Sequence, residues 1–391
     1  MLFRCCLAAV LLGSALAAQA QSETPAQTAA PDRAAGLAIA FARASQHLRR
    51  GINASHWFSQ NPGDYSAQHT DTETTPEDIA TMAKLGFDNV RLSIDAAPLE
   101  QYPRGADGLN DDFAGRLDRA VDTILADGMA VTIDLHPEDN YKQQLRTDNA
   151  AVDRLVALWR KLAAHYAGRD PDRVFFEILN EPEVNDPYRW AGIQARVAAA
   201  IREAAPANTI IATGPNYSDI VDLLGLHPLE DGNVIYNFHF YDPHEFTHQG
   251  ATWSTPWWRY EHGIPYPPTA SSMQALLMEI PGRVDRFQLE NYWLDDWNAD
   301  HIRRLIDEAA GWALANHVPL ICNEFGVYRA VADPVSRTNW IRDVRTALEA
   351  DGIGWAMWDY HNGFGVAVRD KDGKSVVDPQ TVEALGLRQL R

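Results

Sequence analysis

Phe175-Phe176-Glu177-Ile178-Leu179-Asn180-Glu181-Pro182 runs as an apolar strand into an amide, a carboxylate and a proline. Pro182 has no N–H to donate, so it cannot extend a sheet ladder. The strand therefore delivers Asn180 and Glu181 to its C-terminal end. Working outward, short apolar runs recur at 48–54, 87–94, 129–136, 209–213, 233–240, 318–325 and 353–359. Helix-like stretches separate them at 76–85, 112–127, 149–166, 190–205, 217–224, 297–316 and 336–350, with a last one at 379–389. Val152, Leu155, Val156 and Trp159 show the i, i+3, i+4, i+7 spacing of one buried helix face. Thr75-Pro76-Glu77-Asp78 supplies a capping hydroxyl, a first-turn proline and first-turn acids. Eight strand–helix alternations predict an α/β fold, a single (β/α)8 TIM barrel. A doubly wound sheet would carry a Gly-rich phosphate loop after an early strand, and no G-x-G-x-x-G occurs.

One connection breaks the rhythm. Residues 241–296 follow the sixth strand, far longer than the usual barrel loop of roughly two to six residues. They hold Trp253, Trp257, Trp258, Trp293, Tyr260, Tyr266, Tyr292 and six prolines. Such aromatic density disfavours disorder. In a barrel this insertion emerges at the C-terminal face, where active sites are built.

The chain has 391 residues, 46% of them hydrophobic, which leaves ample material for one core. With 34 Lys+Arg against 53 Asp+Glu, nonspecific binding to nucleic acid or anionic membranes is disfavoured. Residues 1–20 read as a signal peptide: Arg4 gives a basic end, 7–16 an apolar run, and Ala18-Gln19-Ala20 a cleavage pattern. The run is too short to cross a bilayer stably. Export as a soluble, secreted or periplasmic protein is expected. Residues 21–35, rich in Ala, Thr, Gln and Pro, read as a disordered leader, and 36–391 as the catalytic domain. After cleavage Cys322 is the one remaining cysteine, which excludes an intramolecular disulfide.

A second apolar strand, Leu320-Ile321-Cys322-Asn323-Glu324-Phe325-Gly326, also ends in a glutamate. Each glutamate alone is compatible with a solvated rim charge. Together, facing across a barrel mouth, they suit two-carboxylate cleavage of a glycosidic bond. Neighbouring strand ends add weight. Arg91 stands in an otherwise apolar strand, where a buried guanidinium requires an anionic partner. His136, His239, Tyr241 and Trp358 lie at or near the ends of the third, sixth and eighth strands. His136, His239, Asp134 and Asp242 also invite a metal reading. However, no H-x-H pair ends the first strand and no H-E-x-x-H helix exists, so no metal and no cofactor are expected. No G-x-S-x-G supports a serine hydrolase.

On these residues the sequence resembles glycoside hydrolase family 5, the cellulase-like retaining barrels. The resemblance runs from Arg50-Gly51-Ile52-Asn53 through Trp358 and rests on Asn180-Glu181-Pro182, His239-Phe240-Tyr241 and Glu324-Phe325-Gly326. It implies Glu181 as general acid/base and Glu324 as nucleophile, surrounded by Arg91, His136, Asn180, His239, Tyr241 and Trp358. Two departures stand out: Asn323 where Gly is frequent in relatives, and the long insertion. Glu324 must be ionised, a state that Arg91 and the Tyr241 hydroxyl favour. Glu181 must start protonated, a state favoured by the neighbouring negative charge. Asn180 is placed to hold a sugar 2-hydroxyl.

Indoles offer flat surfaces to the apolar faces of a pyranose. Trp358 is expected to floor the subsite beside the nucleophile, Trp57 to hold a neighbouring sugar, and Trp253, Trp257 and Trp258 to extend the groove or pack the insertion. The expected activity is retaining endo-β-1,4-glucan hydrolysis by a monomer on a polysaccharide or oligosaccharide substrate. Mannan, a bacterial exopolysaccharide, exo action, and a non-catalytic carbohydrate-binding barrel remain open alternatives.

Overall fold

A computed structural model describes residues 33–61, 63–279 and 282–390. The expected signal peptide lies outside the described residues. Eight parallel strands close a barrel in the order β1 to β8: Arg50–Phe58, Asn89–Ile94, Ala130–Leu135, Val174–Glu177, Thr209–Thr213, Val234–Phe240, Leu320–Phe325 and Gly354–Met357. β1 pairs with β8 to complete the ring. Among the described residues no helix is long and apolar enough to cross a membrane.

The outer helices form where periodicity and caps place them. Asn149–Tyr166 buries Val152, Leu155, Leu158, Trp159 and Leu162 on one face. Pro76–Leu85 starts with the expected capping box: Asp78 N–H donates to the Thr75 hydroxyl, and the Asp78 carboxylate accepts from Thr75 N–H. A helix that sequence reading missed, Arg33–His47, begins inside the stretch read as disordered. Its Ala40 packs with Phe175, Ile211, Ile235 and Ile321, which line the barrel interior. Its Arg43 donates to Thr209 Oγ1 and to the Ala207 carbonyl. At Gly36 a Cβ would sit 2.7 Å from the Asn233 backbone nitrogen, so only glycine allows this close docking. The ordered domain thus begins earlier than residue 36.

Strand alternation sorts the interior. Ala130, Phe175, Ile211, Ile235 and Ile321 form an apolar layer. Two residues further along, β4 and β7 turn Glu177 and Asn323 inward, where the two side chains meet at 2.7 Å. The interior therefore changes from apolar to polar toward the C-terminal ends. β7 then departs from regular register against both neighbours: Phe238 pairs with Cys322, but His239 pairs with Glu324. Such a bulge inserts one residue and re-aims the next side chain. Asn323 and the adjacent Glu324 consequently both reach the interior, which an uninterrupted strand would forbid.

The insertion 241–296 contains the helices His244–Thr247, Ala270–Glu279 and Arg283–Leu294, with a 3-10 turn at Trp258–Tyr260. Phe246, Ile264, Tyr266, Met273, Leu276, Leu289 and Tyr292 are buried and join the main core. A short hairpin, β9 (Ala367–Arg369) with β10 (Ser375–Val377), follows the barrel and was not anticipated from the sequence.

Candidate active site

Arg91 organises the polar layer. It is 1% exposed and donates through Nε and Nη2 to the two oxygens of Glu177, both at 2.8 Å. Nη1 donates to Asn53 Oδ1 at 3.0 Å and to Glu324 Oε1. Nη2 also reaches Asn180 Oδ1 at 2.8 Å and lies 3.1 Å from Asp134 Oδ2. Burial works against the Arg91 charge, but Asp134, Glu177 and Glu324 together hold its pKa well above the usual range. The fork geometry of guanidinium suits this bidentate duty, which a lysine could not perform. Asn323 Nδ2 also donates to Glu177 Oε2, so the residue that departs from the family pattern braces the carboxylate behind Arg91.

A second chain of bonds orients Asn180. Asp134 Oδ2 lies 3.0 Å from His136 Nδ1, and Asn180 Nδ2 lies 3.0 Å from His136 Nε2. Burial, then Arg91 and Lys142, hold His136 well below the ordinary imidazole value, so it is neutral at pH 7. A neutral ring with Nδ1–H donated to Asp134 leaves Nε2 to accept from Asn180. Burial raises Asp134 to about 6 despite Arg91. With the Asn180 amide oxygen held by Arg91 and one N–H held by His136, its second N–H remains for a substrate hydroxyl. His136 in turn stacks on Trp358, ring centres 5.8 Å apart and planes at 22°.

Glu324, 4% exposed, accepts from Tyr241 Oη at 2.9 Å on Oε2 as well as from Arg91 on Oε1. Burial pushes its pKa up; His239 and Arg91 oppose that shift. Glu181 sits across the mouth, with Oε1 3.0 Å from His239 Nδ1, which is 3.5 Å from Glu324 Oε2. Burial lowers His239 to about 4. One donor atom from each of Glu181, His239 and Glu324 lies within 4.8 Å of the others. Among the described residues these three side chains form the group close enough to share a metal ion. Glu181 and Glu324 thus bring an oxygen each to within 4.8 Å of the other, close enough for both to reach one anomeric centre.

The backbone carrying Glu181 is held in an unfavourable conformation. Its φ is +41°, a region that costs a non-glycine residue about 1–3 kcal/mol. The surroundings fix it: Asn180 N–H donates to the Leu135 carbonyl at 2.8 Å, and Tyr217 N–H to the Pro182 carbonyl at 3.1 Å. Sequence reading missed the next support. Buried Lys142, on the helix Asp139–Gln144, places Nζ 3.3 Å from Glu183 Oε1, and Arg146 Nη2 lies 2.9 Å from Oε2. Burial works to lower the Lys142 pKa, but Glu181, Glu183 and Asp139 outweigh it and raise it.

The cellulase profile of glycosyl hydrolase family 5 matches residues 51–363. The chain belongs to this family. Among its curated relatives, Endoglucanase C of Acetivibrio thermocellus is 32% identical over 319 residues, covering 80% of this chain and 91% of that protein. Cellodextrinase A of Ruminococcus flavefaciens is 29% identical over 322 residues, covering 79% and 84%. Among solved structures, a mutant form of Thermotoga maritima Cel5A in complex with cellobiose aligns with a TM-score of 0.70 at 27% identity, covering 88% of this chain and 98% of that one. The same Cel5A has also been solved with mannotriose and aligns with a TM-score of 0.68.

The structure brings Arg91, His136, Asn180, Glu181, His239, Tyr241, Glu324 and Trp358 together at the C-terminal ends of the strands. Trp57 requires correction. It is 5% exposed, its Nε1 donates to the Thr70 carbonyl at 2.7 Å, and its ring packs on Phe58. With its N–H used and its ring in the core, it presents no platform to a sugar. Trp253 is 56% exposed and stands edge-on to Tyr328, in an aromatic cluster with His248 and Phe364 that contacts Tyr241. Trp258 is buried and stacks on His244, so it packs the insertion.

Arg91→Met leaves Asp134, Glu177 and Glu324 without their cation. The expected loss of stability is about 3–5 kcal/mol. Urea denaturation at pH 7 measures it; a loss below about 1 kcal/mol would show that the layer does not depend on this charge.

Proposed function

We propose that this chain is a retaining endo-β-1,4-glucanase, with Glu324 as nucleophile and Glu181 as acid/base. The observation that carries this reading is the approach of Glu181 and Glu324 oxygens to within 4.8 Å at the ends of two barrel strands. The names of the curated relatives support the substrate class. Glu324 attacks the anomeric carbon while Glu181 protonates the leaving oxygen, breaking the C–O bond and forming a glycosyl ester. Esterification removes the Glu324 charge. Glu181, now a carboxylate, takes a proton from water, and the hydroxide opens the ester with a second inversion. Asn180 offers its free N–H to the 2-hydroxyl, and Trp358 provides the ring platform. We further propose that residues 1–20 direct export to a secreted or periplasmic location and that the enzyme works as a monomer.

Viscometry against reducing-end release on soluble cellulose derivatives tests the endo reading: viscosity should fall well before many ends appear. Strictly proportional loss would indicate exo action. Because the related Cel5A has been solved with both sugars, β-mannan belongs in the same assay as a second polymer.

The buried Glu324 also sets a pH expectation. Its pKa is raised, and the nucleophile acts ionised, so kcat/KM should fall on the acid side with a midpoint above the ordinary glutamate value of about 4.3. Tyr241→Phe removes a donor that favours the charged form. It should move this limb to higher pH by up to about one unit. A limb that does not move, or moves to lower pH, would contradict the assigned role of Tyr241.

A further inference from the structure

The segment that carries Glu181 is anchored at both ends. Asn180 N–H donates to the Leu135 carbonyl at the end of β3, and the Glu183 carbonyl accepts from Arg146 Nε. Arg146 Nη2 also reaches Glu183 Oε2 at 2.9 Å, while Lys142 Nζ lies 3.3 Å from Glu183 Oε1. Lys142 and Glu183 are both buried. Taking a lysine and a carboxylate out of water is costly, and a hydrophobic pair of the same volume often does as well for stability. The pair therefore invites a role beyond holding the fold.

Counting charges shows what that role is. Glu183 faces two cations, one on each carboxylate oxygen, with Arg146 on the more exposed side. The other acid near Lys142, Asp139 at 3.4 Å, has a side chain 77% exposed, where water and salt screen its charge. Positive charge is thus left over inside the protein, two residues along the chain from Glu181. Glu181 is the carboxylate whose charge acts most strongly on the Lys142 ammonium, ahead of Glu183 and Asp139. The other groups that face Glu181 bring no such charge. His239 on β6 and His136 just past β3 are neutral, and Glu324 on β7 and Asp134 on β3 are acids. Tyr217 and Tyr241 are both held above the ordinary phenol value. Arg91 turns its donors to Glu177, Glu324, Asn53 and Asn180.

We propose that Lys142 is a positioning residue for the second displacement. Through Glu183 it fixes the segment after Glu181, and its charge favours the Glu181 carboxylate that takes a proton from water. Negative charge changes place during the cycle. Glu181 gives its proton to the leaving oxygen while Glu324 becomes an ester, so the charge passes from Glu324, beside Arg91, to Glu181, on the Lys142 side. Before the first displacement Glu181 is neutral and gains little from a nearby ammonium. In the glycosyl-enzyme it is ionised and gains much more, because the pair is enclosed and weakly screened. Lys142 therefore acts on the step that hydrolyses the ester and hardly on the step that forms it. The inference rests on the reading of Glu181 as acid/base.

Stopped-flow kinetics of the full chain with a dinitrophenyl cellobioside separates the two steps. Forming the glycosyl-enzyme needs no proton with this leaving group, and hydrolysing it needs the Glu181 carboxylate. In Lys142→Met the burst rate should stay within about twofold of the parent, while the acid limb of the hydrolysis rate moves to higher pH by up to about one unit. Lys142→Arg keeps the charge and should restore the parent limb. Glu183→Gln removes a negative charge beside Lys142 and should move the limb to lower pH. A purely structural role would disturb both sites alike. A limb unmoved in Lys142→Met, still shifted in Lys142→Arg, or moved the same way in Lys142→Met and Glu183→Gln therefore overturns the proposal. If Lys142→Met does not fold, Glu183→Gln decides alone: a shift to lower pH supports the proposal, and no shift or a shift to higher pH overturns it. Glu181→Ala should hydrolyse the intermediate slowly and without an acid limb; a limb that persists there counts against Glu181 as the base instead.

Discussion

Glu324→Gln should lower kcat on soluble β-1,4-glucan by about 10⁴-fold or more, with the thermal unfolding midpoint nearly unchanged. Removing a covalent nucleophile eliminates the glycosyl ester altogether, and comparable losses of this order or larger accompany nucleophile deletion in other covalent catalysts. The amide keeps the shape of the carboxylate, and its oxygen can still accept from Arg91 or Tyr241. What it cannot do is carry negative charge to the anomeric carbon. Substrate affinity should therefore survive, measurable as oligosaccharide binding by the inactive variant. Hydrolysis within tenfold of the parent would remove Glu324 from the mechanism.

The second large effect separates the two glutamates. Glu181→Ala should reduce hydrolysis of natural glucan by about 10²–10⁴-fold, the usual worth of a positioned acid/base. With a dinitrophenyl cellobioside, whose leaving group needs no proton, the first step should stay fast and the glycosyl-enzyme should accumulate as a burst. Azide should then restore turnover and yield the β-glycosyl azide. It enters the space beside Glu324 that the deleted carboxylate occupied and needs no base to activate it. Burst and azide rescue both require Glu181 to act on the leaving group and on water. An alanine variant equally slow with every leaving group, and unmoved by azide, would assign Glu181 a different role.

The barrel and its two acids were legible because each rests on a local signal. Apolar runs ending in Asn180-Glu181-Pro182 and Asn323-Glu324 mark strand ends, and the helical periods between them are strong: 149–166 matches the helix Asn149–Tyr166. The supporting layer was less visible. Glu177 lies two residues beyond Phe175, so strand alternation turns it inward, and Arg91 demands such a partner. The signal lies in Phe175-Phe176-Glu177, beside the more conspicuous Asn180-Glu181-Pro182. The bulge that turns Asn323 and Glu324 to the same side leaves no mark in the local pattern, because it arises from pairing with β6 and β8. Nothing in the local sequence marks Lys142; only the fold brings it to Glu183, two residues past the strained Glu181. Trp57 failed for the converse reason. An aromatic after a strand can face a cleft or a core, and the bond from its indole to the Thr70 carbonyl decides for the core.

The claim on which the rest depends is that Glu181 and Glu324 act on one anomeric centre by two successive displacements. Proton NMR of the first product released from a β-1,4-linked cello-oligosaccharide, recorded before mutarotation, reads this directly. The β-anomer should appear first and the α-anomer only later, at the rate of spontaneous equilibration. Initial release of the α-anomer would mean a single displacement by water and would contradict the account.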